Sequence, residues 1–232
     1  MEWPTSPPSD APRAAPSNLE EKQRAATTMA ERLRDDDVVG VGSGSTSLLT
    51  LESLVERARQ EAWNFTAITT SLEMEMACRD LGVATTTLLS DRPDWSFDGA
   101  DEVDEQGNMI KGRGGAMLRE RLIMTASFDR YVVIDASKRV AHLGENFPIP
   151  LEVFPEALNL VLNELDASFD VAETTLRMAT GKDGPIITEH GNVIVDVTFV
   201  DVRPELSPRL DALPGVVGTG LFIGFHPTIV GA

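Results

Sequence analysis

Four short apolar runs, Val38–Val41, Phe65–Thr70, Val83–Leu89 and Tyr131–Asp135, alternate with segments whose apolar residues recur at helical spacing. That alternation restricts the fold more than any other feature of the chain. A strand followed by a helix and another strand closes as a right-handed crossover, so the strands lie parallel and helices cover both faces of their sheet. Helices are expected from Leu19 to about Arg34, opened by the capping-box pair Ser17 and Glu20, and again through Leu48, Leu49, Leu51, Leu54 and Val55. Two more are expected, from the N-cap Ser71 to Leu81 with Gly82 ending it, and from Ala116 to Thr125. Met74, Met76 and Cys78 read as packing residues of the third helix, and Met117, Leu118, Leu122 and Ile123 as the buried side of the fourth.

Parallel sheets of this kind bind ligands at the carboxyl ends of their strands. Behind Val38–Val41 stands Gly42-Ser43-Gly44-Ser45-Thr46, a glycine–serine turn opening a helix. Backbone amides and hydroxyls in that position can cradle a phosphate at the positive helix end, although a plain tight turn has the same composition. It is neither a Walker loop nor a full dinucleotide fingerprint. Thr69-Thr70-Ser71 offers more hydroxyls, which helix capping alone also explains.

The second stretch is Trp95–Ile123. It gathers Asp98, Asp101, Glu102, Asp104 and Glu105, one lysine (Lys111), the glycines Gly112, Gly114 and Gly115, and Glu120. A solvated charge run rarely has a glycine turn and a lone lysine at its centre. Asp98 and Asp101 flank the small pair Gly99-Ala100, where a sharp turn lets both carboxylates face one cavity and share a proton. A short strand at Met109-Ile110 delivers the Lys111 ammonium, a group suited to a developing oxyanion. Glu120 and Arg119 sit between apolar helix positions, a pattern equally compatible with a solvent-facing glutamate.

Composition narrows the classes. Thirty-seven acidic against twenty basic residues give a formal charge of −17, which opposes binding to nucleic acid. No apolar run approaches the roughly eighteen residues that span a bilayer, and the Pro-, Ser- and Ala-rich residues 1–16 lack a signal-peptide core and read as a disordered tail. Cytoplasm is the default location. One cysteine, Cys78, excludes an internal disulfide, and His142, His190 and His226 show no metal-ligand spacing, so no metal is expected. The only lysines are Lys22, Lys111, Lys138 and Lys182. An acid-rich, lysine-poor chain also suits salt-loving cells, where its charge is screened.

Beyond residue 147 the alternation stops. Pro148–Val153, a helix over Pro155–Leu165, Val171–Arg177 and a hairpin of Ile186-Ile187 against Val193–Phe199 read as a small α+β unit; a short helix over Pro204–Leu213 follows, and the chain returns as strand over Val216–Ile223.

Five motifs in order, VGVGSGST (Val39–Thr46), DGADE (Asp98–Glu102), MIKGRGGAMLRERLI (Met109–Ile123), VIDASK (Val133–Lys138) and PGVVGTGLF (Pro214–Phe222), resemble ribose-5-phosphate isomerases of the A type. The resemblance runs over about Leu19–Gly224. It implies an α/β fold, a Rossmann-like parallel sheet domain with a second, smaller α+β domain: residues 17–146 and 216–232 in the first and 147–215 in the second. It also implies interconversion of ribose 5-phosphate and ribulose 5-phosphate through an ene-diolate, no cofactor, and a homodimer or homotetramer. Glu120 would be the base, Asp98 would assist ring opening or oxygen protonation with Asp101 beside it, and Lys111 would stabilise the ene-diolate oxygen. The phosphate would lie against Ser43, Gly44, Ser45, Thr46, Lys22 and Lys138, and the substrate against Gly112, Gly114 and Gly115. Without the resemblance, Lys22 in a first helical turn and Lys138 at a strand end are ordinary surface lysines. Two positions depart from the pattern: Ser43 stands where threonine is common, and Arg113 where glycine is usual. An aminosugar-phosphate deaminase of related fold, or a sugar-phosphate sensor lacking catalytic carboxylates, would keep the phosphate turn; the joint presence of Asp98, Asp101, Lys111 and Glu120 speaks against the sensor.

Overall fold

The computed structural model describes residues 19–231, so the tail at 1–16 and the capping residue Ser17 lie outside the described residues. The described chain forms two compact units. One comprises residues 19–100, 119–139 and 225–231, the other Asp101–Leu118 and Val140–Gly224.

The first unit contains α1 (Leu19–Ala30), β1 (Asp37–Val41), α2 (Gly44–Glu61), β2 (Phe65–Thr69), α3 (Leu72–Leu81), β3 (Ala84–Thr85) and β4 (Trp95–Asp98). Later in the chain it receives most of α4 (Met117–Ala126), then β7 (Asp129–Val133) and β13 (Thr228–Val230). Its strands make one parallel sheet in the order β13-β7-β4-β1-β2-β3. The chain runs outward from β1 to β2 and β3, then returns to the other side of β1 for β4. Val41 therefore faces Thr69 on one side and Phe97 on the other. The reversal of strand order leaves a crevice where β1 and β4 end, the place such sheets use for ligands. Packing fixes these ends: Val39, Val41, Leu51, Leu54, Ala67 and Phe97 are buried in one cluster.

Gly40 brings α4 against β1. A Cβ there would stand 2.5 Å from Ile123 Cγ2 and 2.6 Å from Ser96 Cβ, so only glycine allows that approach. Glu120 lies one helical turn before Ile123, on the same face of α4.

The second unit contains β5 (Glu102–Val103), β6 (Met109–Ile110), β8 (Ile149–Val153), α5 (Leu158–Ser168), β9 (Val171–Leu176), β10 (Val193–Phe199), α6 (Leu206–Asp211), β11 (Val216–Thr219) and β12 (Leu221–Phe222). An antiparallel sheet β11-β8-β10-β9 packs its Leu151, Val153, Val195 and Val197 in one core with Val161 and Leu165 of α5. A small antiparallel sheet β12-β6-β5 stands beside it in the chain order.

Several expectations are corrected. The strand expected over Val83–Leu89 shrinks to Ala84–Thr85, because the chain beyond it turns: Ser90 and Asp91 N–H groups donate to the Thr87 carbonyl and Leu89 is fully exposed. The first helix ends at Ala30 rather than near Arg34; Leu33 N–H bonds back to Ala30, and the Arg34 guanidinium caps the carbonyls of Glu31, Arg32 and Leu33. Met76 and Leu122 are about half exposed, while Met74, Cys78 and Met124 are buried. The hairpin at Ile186-Ile187 is reduced to the isolated bridge Ile187–Val193, since β10 spends its edges on β8 and β9. The stretch Val216–Ile223 splits into strands of two sheets and goes with the second unit; the first unit regains the chain only at Phe225.

Candidate active site

In the first unit the glycine–serine turn follows β1 directly. Gly42 N–H donates to the Phe97 carbonyl at 2.9 Å, which draws the turn against the end of β4, where Asp98 is the last residue. A Cβ on Gly42 would overlap the Asp98 carboxylate. Asp98 is 5% exposed, and its Oδ1 accepts from Gly99 N–H at 2.7 Å and Ser47 Oγ–H at 3.3 Å. Gly44 takes φ +84°, a backbone state that favours glycine, and begins α2.

Ser43 occupies the N-cap of α2 but makes no side-chain cap; its hydroxyl donates instead to Glu120 Oε1 at 3.3 Å. Ser45 and Thr46 stand in the first turn of α2, whose leading amides have no intrahelical acceptor and carry the positive end of the helix dipole. Glu120 is 6% exposed, so the solvent-facing alternative fails. The structure thus brings together Ser43, Gly44, Ser45, Thr46, Asp98 and Glu120 within one unit: a carboxylate pair beside an anion-receptive helix end.

Lys22 is buried, contrary to its plain reading as an exposed first-turn residue. It lies in phase with Ala25, Ala26 and Met29, the buried face of α1, and its Nζ stands 3.9 Å from Asp135 Oδ2. Asp135 follows β7 and is itself 1% exposed. Its Oδ1 accepts from the N–H and Oγ–H of Ser137, so Asp135 caps the 3₁₀ turn Ala136–Lys138, which ends on half-buried Lys138. Asp135 and Ser47 escaped the sequence reading; Asp135 closes an apolar strand, and that position was its available signal.

In the second unit Asp101 accepts the Arg113 N–H through Oδ2 at 3.1 Å, so its carboxylate braces the glycine turn. Lys111 leaves β6 buried at 2% exposure, with its N–H on the Gly220 carbonyl at 2.9 Å and Nζ 5.8 Å from the centre of the Phe222 ring. Gly112 and Gly115 take φ +95° and +83°. A Cβ on Gly112 would come 2.9 Å from Met117 Cβ, so the turn is tight for steric as well as conformational reasons. Arg177, which sequence reading left unassigned, donates to the carbonyls of Gly112 and Arg113 at 3.0 and 2.9 Å. The Arg113 side chain itself is exposed, with its guanidinium 5.9 Å from the centre of the Phe147 ring.

Two further acids of the stretch hold backbone amides. Glu102 is fully buried and accepts the N–H groups of Gly144, Asn146 and Phe147, organising that loop. Asp104 holds its own turn through the N–H groups of Gln106 and Asn108. Among the described residues no three His, Cys, Asp or Glu side chains gather as a metal ion requires, and no helix is long and apolar enough to cross a membrane.

Residues 66–232 match the family model for ribose 5-phosphate isomerase A (phosphoriboisomerase A). A ribose-5-phosphate isomerase A of Synechococcus sp. is 41% identical over 213 residues, 90% of this chain and 91% of that protein. The structure of ribose 5-phosphate isomerase A from Methanocaldococcus jannaschii superposes with a TM-score of 0.84 at 36% identity, covering 88% of this chain and 91% of its own. That of a D-ribose-5-phosphate isomerase in complex with phospho-erythronic acid gives 0.85 at 33% identity, covering 89% and 91%.

Proposed function

The chain belongs to the ribose 5-phosphate isomerase A family, and from that premise we propose how its residues interconvert D-ribose 5-phosphate and D-ribulose 5-phosphate. The open-chain aldose carries an acidic hydrogen on C2, next to the C1 aldehyde. Glu120 removes that proton; the released electron pair forms the C1–C2 double bond and the carbonyl electrons move to O1. Glu120 then returns the proton to C1 while the O2 hydroxyl proton passes to O1, which leaves the C2 carbonyl and C1 hydroxyl of the ketose. The oxyanion formed midway needs a positive partner in a place shielded from water, and Lys111 is proposed to supply it. Asp98 assists ring opening or oxygen protonation. Asp101 braces the turn that follows Lys111, a role its bond to Arg113 N–H supports.

The observation that carries this reading is the hydrogen bond from Ser43 to Glu120. It ties the general base to the residue preceding the amides of α2, so a phosphate on those amides fixes the sugar relative to the base. Ser43, Gly44, Ser45 and Thr46 form the proposed phosphate cradle, with Lys22 and Lys138 adding charge, and Gly112, Gly114 and Gly115 line the sugar. Binding energy at the phosphate is then used to orient C2, five atoms away from it along the chain by rough count.

The test is turnover of ribose 5-phosphate by wild type and Glu120→Gln. The amide keeps the shape and loses the base, so kcat falls by at least roughly a thousandfold while KM stays within a few-fold. A Glu120→Gln protein with near-normal kcat sinks the assignment. We further propose a cytoplasmic homo-oligomer, dimer or tetramer, adapted to high salt. The net charge of −17 supports the last point, since salt screens self-repulsion. Melting temperature should rise from low to molar KCl, and a maximum near zero salt overturns it.

A further inference from the structure

We propose that Arg177 is a positioning residue for catalysis, acting through the turn Gly112–Gly115 that follows Lys111. This rests on the role assigned to Lys111 above. The turn contains three glycines in four residues, a segment with large conformational freedom to lose and no side chains of its own to hold it, Arg113 apart. Its order has to come from its backbone groups.

Arg177, just past the end of β9, supplies the hold. Its Nη1 donates to two successive carbonyls, Gly112 at 3.0 Å and Arg113 at 2.9 Å. The same guanidinium is fixed from behind by Asp196 of β10, through Nε to Oδ2 at 2.7 Å and through Nη2 to Oδ1, with both side chains 15% exposed. This fork is a geometry that a lysine cannot copy. The main chain of Arg177 is also anchored, its N–H on the Ile194 carbonyl at 2.9 Å, and Ile194 Cδ1 lies 3.0 Å from where a Cβ of Gly115 would stand. Residues of β10 and the end of β9 therefore hold the Gly112–Arg113 end of the turn by hydrogen bonds, and Ile194 lies close beside its Gly115 end. Asp101 takes the Arg113 N–H while Arg177 takes the Arg113 carbonyl, so one peptide unit on each side of Arg113 is pinned. Lys111, one residue before the turn and bonded to Gly220 through its N–H, inherits that order.

The experiment compares Arg177→Gln, Arg177→Lys and Asp196→Asn with wild type, each assayed well below its own melting temperature. Expected is a kcat loss of roughly ten- to a hundredfold in Arg177→Gln, the size a small misplacement of a catalytic group produces. The inhibition constant of inorganic phosphate should stay within about threefold, because the phosphate cradle is built from other residues, while KM for the sugar phosphate rises by less than kcat falls. Arg177→Lys and Asp196→Asn fall between, each keeping part of the hold; they also carry the test where Arg177→Gln does not fold. In a Lys111→Ala background the effect of Arg177→Gln should shrink severalfold, since coupled residues are not additive. Wild-type kcat in folded Arg177→Gln, a loss seen only in KM, or full additivity with Lys111→Ala overturns the inference. Wild-type kcat in Lys111→Ala alone removes its premise, a result distinct from these.

Discussion

Gly42→Ala is the sharpest perturbation of this site. The added Cβ would fall on the Asp98 carboxylate and lie 2.6 Å from Asp98 Cα, well inside any tolerated contact. A flexible side-chain end can swing away, but Cα belongs to β4 in the middle of the sheet, between β1 and β7. Either the turn after β1 or the end of β4 must move. Over-packing of this kind costs about 1–3 kcal/mol. For a chain of this size that is a melting-point drop of roughly 2–12 °C. The displaced carboxylate also leaves Gly99 N–H and Ser47, so kcat should fall on the order of a hundredfold even where the protein is fully folded. Gly82→Ala provides the control. Gly82 has φ +80° with open space around its missing Cβ, and it ends α3. It should lose about 1 kcal/mol through backbone strain alone and leave kcat unchanged. Thermal melts and the ribulose 5-phosphate assay on both proteins decide the matter. A Gly42→Ala enzyme with wild-type melting temperature and kcat would refute the steric argument.

Ser43→Ala should cost at most a few tenths of a kcal/mol in a denaturant titration, since it removes no helix cap, yet lower kcat; Ser71→Ala removes the bond to Met74 N–H and should cost about 1 kcal/mol with kcat preserved. Equal stability losses in the two variants would contradict this. Burial, with Glu75 adding to it, pushes the Cys78 thiol up to about 11 from an ordinary 9.0. The fold favours the neutral thiol, so this contribution is complete below pH 9, declines as the unfolded chain ionises, and is gone above pH 11; two pH units at about 1.4 kcal/mol each amount to roughly 3 kcal/mol. Cys78→Ala should flatten that alkaline slope in pH-dependent denaturation, and an unchanged slope refutes the assignment.

The parallel sheet was legible because strand and helix periods differ and their alternation admits few topologies. Val38–Val41 and Gly42–Thr46 occupy the places that pattern demands. Local pattern misled where side chains had other partners. Val83–Leu89 reads as strand from its β-branched residues, but hydrogen bonds around Thr87 and Asp91 turn the chain after two paired residues. Glu102 and Asp104 carry the charge of a catalytic cluster and spend it on loop amides. Lys22 carries a usable signal, its phase with Ala25, Ala26 and Met29, set against the general preference of first-turn lysines for water. Arg177 had none: the carbonyls it holds are 64 and 65 residues away, and backbone acceptors leave no trace in sequence.

Two junctions in the same sheet show how function and stability part company. After β2, Ser71 does what a serine at a helix start ordinarily does: its hydroxyl accepts Met74 N–H at 3.2 Å and satisfies one orphan donor of α3. After β1, Ser43 has the same extended backbone and the same place before a helix, but its hydroxyl turns to Glu120. The difference follows from what lies opposite. Gly40 admits α4 against β1, and α4 presents a carboxylate within reach of Ser43. With its N-cap so engaged, α2 has no side-chain cap on its first amides, the position where the proposed phosphate would sit. A serine capping α2 would add stability and compete with the proposed phosphate for those amides; a Ser43 bound to Glu120 would leave them to substrate and hold the proposed base still. The local sacrifice is about 1 kcal/mol of helix capping, which the proposed phosphate would return only with substrate bound.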